Sequence, residues 1–134
     1  MTKISLKIIT QKKIVFEGNV NAFYAFSTEG RFGILPNHEP VTTVLEIGVT
    51  KIITDEEPIY VATMGGILNV RENAAVILTD MAELGNDIDA IRAKEALERA
   101  RARLEAKSEN VNVLRAQIAL KKATVRLSAS EKHL

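Results

Sequence analysis

Few side chains in this chain of 134 residues could do covalent chemistry. It has no cysteine, which excludes a thiol nucleophile, a thiolate zinc site and a disulfide framework. Its two histidines, His38 and His133, lie far apart, and neither has a neighbouring carboxylate cluster to make it a base or a metal ligand. Ser27, Thr63 and Ser128 have no adjacent base, so no nucleophile arrangement is present. Gly30-x-x-Gly33 is too short and too strand-bounded for a phosphate loop. These counts disfavour an enzyme and leave the cations of the last third as the chemistry worth following.

The cations that matter are Arg92, Lys122 and Arg126. From Asp87 onward the chain reads as two helices, with a break at Lys107-Ser108-Glu109-Asn110 and Ser108 or Asn110 as the second N-cap. Asp87 and Asp89 suit the positive end of the first helix. A turn near 108–109 sets Arg92 opposite Val125 and Arg126, with Lys122 one turn away on the same face. Arg92, Lys122 and Arg126 then converge near Asp89 and Glu83, beside a helix N-terminus. Like charges repel, so the convergence needs a polyanion such as phosphate, or a shared carboxylate. The alternative is that these cations offset a helix dipole and stay solvated.

The elements that must position this cluster differ sharply along the chain. All seven glycines, all three prolines and all six aromatics lie at or before Gly85. Residues 1–86 carry seven basic and ten acidic side chains; residues 87–134 carry eleven and seven. The overall charge of +1 is therefore a sum of −3 and +4, and it hides two parts. With 46% apolar residues the chain reads as globular, and no apolar run is long enough to span a bilayer. Met1–Thr10 has no signal- or transit-peptide character.

In the first part, Thr2–Thr10 alternates with Ile4, Leu6 and Ile8 on one face, the period of a half-buried strand. Ile14–Phe16, Asn19–Ser27, Val41–Leu45, Gly48–Thr54, Ile59–Met64, Ile67–Val70 and Ala75–Met81 are further β-rich runs. Glu29-Gly30, Asp55–Pro58, Gly65-Gly66 and Arg71–Asn73 supply turn chemistry between them. Eight or more short strands with short connections imply a mostly antiparallel two-sheet sandwich over residues 1–85. In the second part, residues 86–134, Ala93, Ala96, Leu97, Ala100 and Leu104 form an amphipathic stripe. Val111, Leu114, Ile118 and Val125 form another, beside Val113, Ala116, Leu120, Ala123 and Leu127. The short connection makes these an antiparallel helical hairpin, rich enough in alanine to pack closely.

Gly30–Pro40, read as G-R-F-G-I-L-P-N-H-E-P, resembles a signature segment of the epsilon subunit of rotary F-type ATP synthases. Ala62–Leu68, with its Gly65-Gly66 pair, is similar to the family's second landmark. Ile88-Asp89-Ala90-Ile91-Arg92-Ala93 resembles the I-D-x-x-R-A motif of bacterial members whose hairpin binds ATP, and Ala119–Ser128 resembles the matching second helix. The resemblance spans the chain in the family's order. It implies a ten-stranded sandwich and a two-helix hairpin, with a non-catalytic role in the central rotor. It further implies that Glu83, Ile88, Asp89, Arg92, Ala93, Lys122 and Arg126 contact ATP as a regulatory ligand, with no metal required.

Lys122 stands where ATP binders of the family commonly have arginine; it keeps the charge and loses the bidentate fork. The implied partners are a gamma subunit and a ring of c subunits, met through Glu29, Gly30, Arg31 and His38. The alpha and beta subunits of the catalytic head would be met by an extended hairpin through Arg115, Lys121, Lys122 and Arg126. No nucleic acid is implied, and the membrane enters only through the complex, on the cytoplasmic face of a bacterial plasma membrane rather than a plastid thylakoid. A stand-alone ATP-sensing module is the other reading.

Overall fold

A computed structural model of the chain describes residues 2–106 and 112–133. Eight strands come first: β1 (Ile4–Ile9), β2 (Ile14–Val20), β3 (Ala22–Ser27), β4 (Gly30–Ile34), β5 (Val41–Ile53), β6 (Ile59–Arg71), β7 (Ala74–Leu78) and β8 (Ala82–Leu84). A 3₁₀ turn, Gly85–Asp87, leads to α1 (Ala90–Ala106) and α2 (Val113–Ser130). Hydrogen bonding runs β2-β1-β7-β6-β5-β3-β4, with β8 on the free flank of β6. Every pairing is antiparallel except β1 with β7.

The expected count of ten strands is corrected to eight, and the difference lies in β5 and β6. These two are 13 residues each and stay in register from Val41↔Val70 to Ile52↔Ile59. Gly65-Gly66 is therefore a bend inside β6, not a turn between strands, with φ of +79° and +123°. A Cβ on Gly66 would stand 2.2 Å from the Leu78 carbonyl oxygen, so only glycine fits.

The bend changes which side of the strand faces inward. Leu68 and Val70 point into the core on one side of it, Val61 and Thr63 on the other, so the parity of buried positions inverts. On β5 the same inversion separates Leu45 from Thr50 and Ile52. Each long strand thus serves two layers, and counting each twice restores ten. The run Asn19–Ser27 also divides, at Asn21, whose N–H donates to the Ile53 carbonyl.

The core between the layers is made of large side chains: Ile4, Leu6, Ile8, Phe23, Ile52, Leu68 and Ile77 are fully enclosed. Thr50 and Thr63 are buried with them and satisfy each other through a 2.9 Å hydroxyl hydrogen bond. The β6–β7 connection is a two-residue turn, Glu72-Asn73, with φ of +50° and +58°. Asn73 also ties three segments together. Its Oδ1 accepts from the Asn37 N–H at 2.7 Å, and its Nδ2 donates to the Lys3 carbonyl at 2.8 Å.

In the hairpin, Asp89 caps α1, its Oδ1 accepting from the N–H groups of Ile91 and Arg92. The cap of α2 is Asn112, whose side chain accepts from the Arg115 N–H, in place of the expected Ser108 or Asn110. The expected turn at Lys107–Asn110, and Val111 after it, lie outside the described residues.

Candidate functional site

The hairpin docks on the outer face of the sandwich, and small residues make the contact possible. Val49 and Ala62, register partners on β5 and β6, form the floor. Ile88, Ala93, Val125 and Ala129 pack onto them, with Ile47, Tyr60, Met64 and Leu127 around the edge. Ala93 and Ala129 are wholly enclosed. At Gly85 the approach is backbone to backbone: a Cβ there would fall 2.3 Å from the Ala129 carbonyl oxygen and 3.1 Å from that of Tyr60. Of the two helices it is mainly α2 that meets the sheet, while α1 packs chiefly on α2. Of the stripe expected to include Leu114, Ile118 and Val125, only Val125 is covered; Leu114 is 67% exposed and Ile118 is exposed too, as is Val113 of the neighbouring stripe.

The ionisable residues sit along the rim of this contact. Strand β8 pairs Glu83 with Ala62, which brings the carboxylate out beside α2. Arg126 meets it with a two-pronged bond, Nε donating to Oε1 at 2.8 Å and Nη2 to Oε2 at 3.3 Å. Both side chains are only 29% exposed, so this pair is partly shielded from water and ions. Arg92 reaches back to its own cap, with Nε 4.0 Å from Asp89 Oδ2, and is itself 83% exposed. Lys122 and Arg115 are exposed on α2.

The expected set is therefore brought together in parts. Glu83 joins Arg126, Asp89 joins Arg92, and Ile88 and Ala93 share the buried floor. The three cations do not share one carboxylate; Arg126 and Arg92 each have their own. Two further contacts across the rim were not read from the sequence: Lys121 with Glu46 at 3.3 Å and Lys132 with Glu57 at 3.8 Å. Their signal was present only as the opposite net charges of the two parts.

Glu29, Gly30, Arg31 and His38 lie elsewhere. Glu29 sits in the β3–β4 turn, where its N–H donates to Ser27 Oγ at 3.2 Å. Gly30, at φ +113° and expected in the turn with Glu29, opens strand β4 together with Arg31. Arg31 covers the Tyr24 ring, 4.7 Å from its centroid. His38 is half-buried and held by its own loop, Nδ1 donating to the Glu39 carbonyl at 2.7 Å. Among the described residues no group of three or more histidine, aspartate and glutamate side chains is placed to hold a metal. No described helix is long and apolar enough to cross a membrane.

A second surface emerges from the strand register. Val44 pairs with Ile67, Ile67 with Leu78, Leu78 with Ile9 and Ile9 with Ile14, one row across five strands. Its members face outward, with Val44 65%, Leu78 54%, Ile14 51% and Ile67 48% exposed. The neighbouring row, Thr42, Asn69, Val76, Lys7 and Glu17, is mostly polar and internally bonded, Asn69 to Thr42 and Lys7 to Glu17. The row sets apolar side chains side by side on the sheet exterior, open to water.

Both parts match known family models. Residues 3–85 match the ATP synthase Delta/Epsilon chain beta-sandwich domain, and residues 86–131 match the long alpha-helix domain of the same chain. The chain belongs to the delta/epsilon-chain family of ATP synthase. Relatives named ATP synthase epsilon chain include one from Carboxydothermus hydrogenoformans, 40% identical over 106 residues, covering 79% of each chain. Another, from Syntrophomonas wolfei, is 39% identical over 130 residues, or 96% of this chain and 95% of the relative. A chloroplastic epsilon chain of Gossypium barbadense is 36% identical over 101 residues, 75% of this chain and 76% of that one.

The fold is also that of a chain in the cryo-EM structure of the Euglena gracilis mitochondrial ATP synthase, with a TM-score of 0.82 at 24% identity. That match covers 99% of this chain and 83% of the other. As an epsilon-type chain it is a non-catalytic subunit of the membrane-associated synthase, not an enzyme in its own right.

Proposed function

We propose that this chain works in the central stalk of a proton-translocating ATP synthase. Its sandwich would stay fixed to the rotor, and its hairpin would restrain ATP hydrolysis according to the ATP level. The observation that carries the reading is the way the hairpin is held: alanine-lined contacts and a rim of exchangeable ion pairs, with Arg126 on Glu83 at the centre. Such a contact can be made and broken without unfolding either part. In the reading, the triphosphate is taken by Arg92, Lys122 and Arg126 beside the N-terminus of α1. Glu83, Ile88, Asp89 and Ala93 complete the pocket.

A ligand that binds only the folded-down hairpin favours that state by RT ln(1 + [L]/Kd), about 2.7 kcal/mol at a hundredfold excess over Kd. When ATP falls, the hairpin lifts. Arg115, Lys121, Lys122 and Arg126 then meet acidic surfaces of the alpha and beta subunits, and Leu114 and Ile118, exposed in the docked form, gain cover.

The row Val44–Ile67–Leu78–Ile9–Ile14 supports a permanent partner for the sandwich, which in this reading is the gamma subunit. Glu29, Gly30, Arg31 and His38 add contacts to gamma and to the c ring. The setting is the cytoplasmic face of a bacterial membrane.

The test is an ATP titration of the isolated chain followed by calorimetry. Arg126→Ala and Arg92→Ala are each expected to weaken binding tenfold or more, in line with ~1.5–3 kcal/mol for a hydrogen bond to a charged group. Unchanged affinity in both variants would overturn the ATP reading. Failure of a gamma-type chain to co-purify would instead favour the stand-alone sensor.

A further inference from the structure

The ion pairs across the docking contact all have one polarity. Lys121, Arg126 and Lys132 are on or just beyond α2; Glu46, Glu83 and Glu57 are on the sandwich. The three carboxylates come from three places, strand β5, strand β8 and the β5–β6 turn, so they bracket the helix rather than form one cluster. Taken whole, these three pairs included, the two parts carry −3 and +4.

We infer that the sandwich face beneath α2 is an acidic receptor for the chain's own basic helix, and that ionic strength sets how often the hairpin lifts. The packing beneath is modest, with Ile88, Ala93, Val125, Ala129 and part of Leu127 set on Val49 and Ala62, so the three ion pairs at its rim contribute a real share of the hold. Opposite net charges also steer a lifted hairpin back to its seat, and added salt weakens both effects.

The three pairs do not count equally. Arg126–Glu83 is two-pronged and shielded, while Lys121–Glu46 is half exposed and Lys132–Glu57 is longer and mostly in solvent. Release should therefore depend on Glu83 first, Glu46 second and Glu57 least. While the helix is seated, Lys121 and Arg126 are occupied by the chain's own carboxylates, so an acidic partner can take them only in competition with the sandwich. This inference rests on the reading of the hairpin as a part that lifts from the sandwich, and it holds whether or not ATP binds.

The absence of cysteine allows a clean measurement. Val49 is 2% exposed beneath the helix, so the thiol of Val49→Cys reacts only when the hairpin lifts. Its labelling by N-ethylmaleimide, normalised to free N-acetylcysteine, should rise about tenfold between 50 and 500 mM KCl. At 50 mM KCl, Glu83→Gln should raise it about fivefold and Glu46→Gln about twofold, and Glu83→Gln should flatten the salt response. Glu17→Gln, which breaks a pair remote from the seat, should leave it unchanged. Labelling of Ala62→Cys, a second enclosed position on the same floor, reads the same opening if Val49→Cys itself loosens the contact. Equal labelling of both thiols at both salt concentrations, with no response to Glu83→Gln, would overturn the inference.

Discussion

The sandwich and the hairpin solve the same problem, keeping apolar surface from water, with opposite materials. The sandwich encloses Phe23, Ile4, Leu6, Ile8 and Leu68 completely, each contributing about 1.5–3 kcal/mol of transfer free energy. The most enclosed residues of the hairpin are Ala93, Ala100, Ala116, Ala123 and Ala129, each offering roughly one methyl group, ~0.8 kcal/mol. One part is held by bulk and the other by close approach and charge. Strand β6 shows the two modes side by side, with Leu68 and Val70 pointing into the core and Ala62 turned outward as a floor for α2. The difference teaches that the lasting and the reversible parts of one chain are separated by side-chain size before any ligand is considered.

The largest expected effect is on the bulky side. Phe23→Ala should cost about 3–5 kcal/mol, read as a drop in the urea midpoint of the sandwich, because nothing nearby can fill the space left. If Phe23→Ala cost no more than an alanine-interface change, the contrast between the two parts would fail.

Next comes the hinge. Gly85→Ala places a Cβ against two backbone carbonyls, neither of which can swing aside as a side chain would. We expect about 1–3 kcal/mol against docking, with the sandwich midpoint unchanged. The readout is thiol labelling of Val49→Cys alongside urea unfolding. A fall in the urea midpoint matching the rise in labelling would mean that the two parts are one cooperative unit and not two.

Smaller still is the outward apolar row. Ile67→Lys should alter the stability of the isolated chain by no more than about 0.5 kcal/mol, since the side chain already faces water. It should nevertheless abolish capture of a gamma-type partner in a pull-down. Retained capture would remove the row from the partner surface and leave Glu29, Arg31 and His38 to carry it.

How much of this was legible beforehand depended on whether a local pattern had a single structural meaning. Ile4, Leu6 and Ile8 could be read as one buried face because strict alternation admits little else. Gly65-Gly66 could not be read correctly: left-handed glycines serve a turn and an in-strand bend equally well, and only the register with β5 distinguishes them. Strand β8 went unseen because three residues carry no period, although it is what presents Glu83 to Arg126. Asp89 at the start of α1 and Ala93 on its apolar stripe stand where the helix signals put them, while Arg92 and Lys122 face solvent, which spacing along a helix does not decide. The apolar row across five strands was out of reach, since no stretch of sequence contains it.

The smallest effect distinguishes the parts by pH. Asp55, in the β5–β6 turn, accepts hydrogen bonds from Lys3 and from Asn21, the latter at 3.0 Å, and so ties the start of the chain and the β2–β3 junction to that turn. The Lys3 hydrogen bond first, then that of Asn21, holds its carboxyl below the usual aspartate range. A carboxylate depressed in the folded state adds stability above the unfolded value, near pH 4, and that stability is lost as pH falls through the lower folded value. Asp55→Asn should therefore lower sandwich stability modestly at neutral pH and converge on the parent chain well below about pH 4, so that the decline in acid is shallower. Because the side chain is open to water, the change should also shrink with added salt. The measurement is the thermal midpoint from pH 2.5 to 7 at low and high KCl. A loss of equal size at every pH and salt concentration would assign Asp55 a role in turn geometry, through Asn21, in place of an electrostatic one.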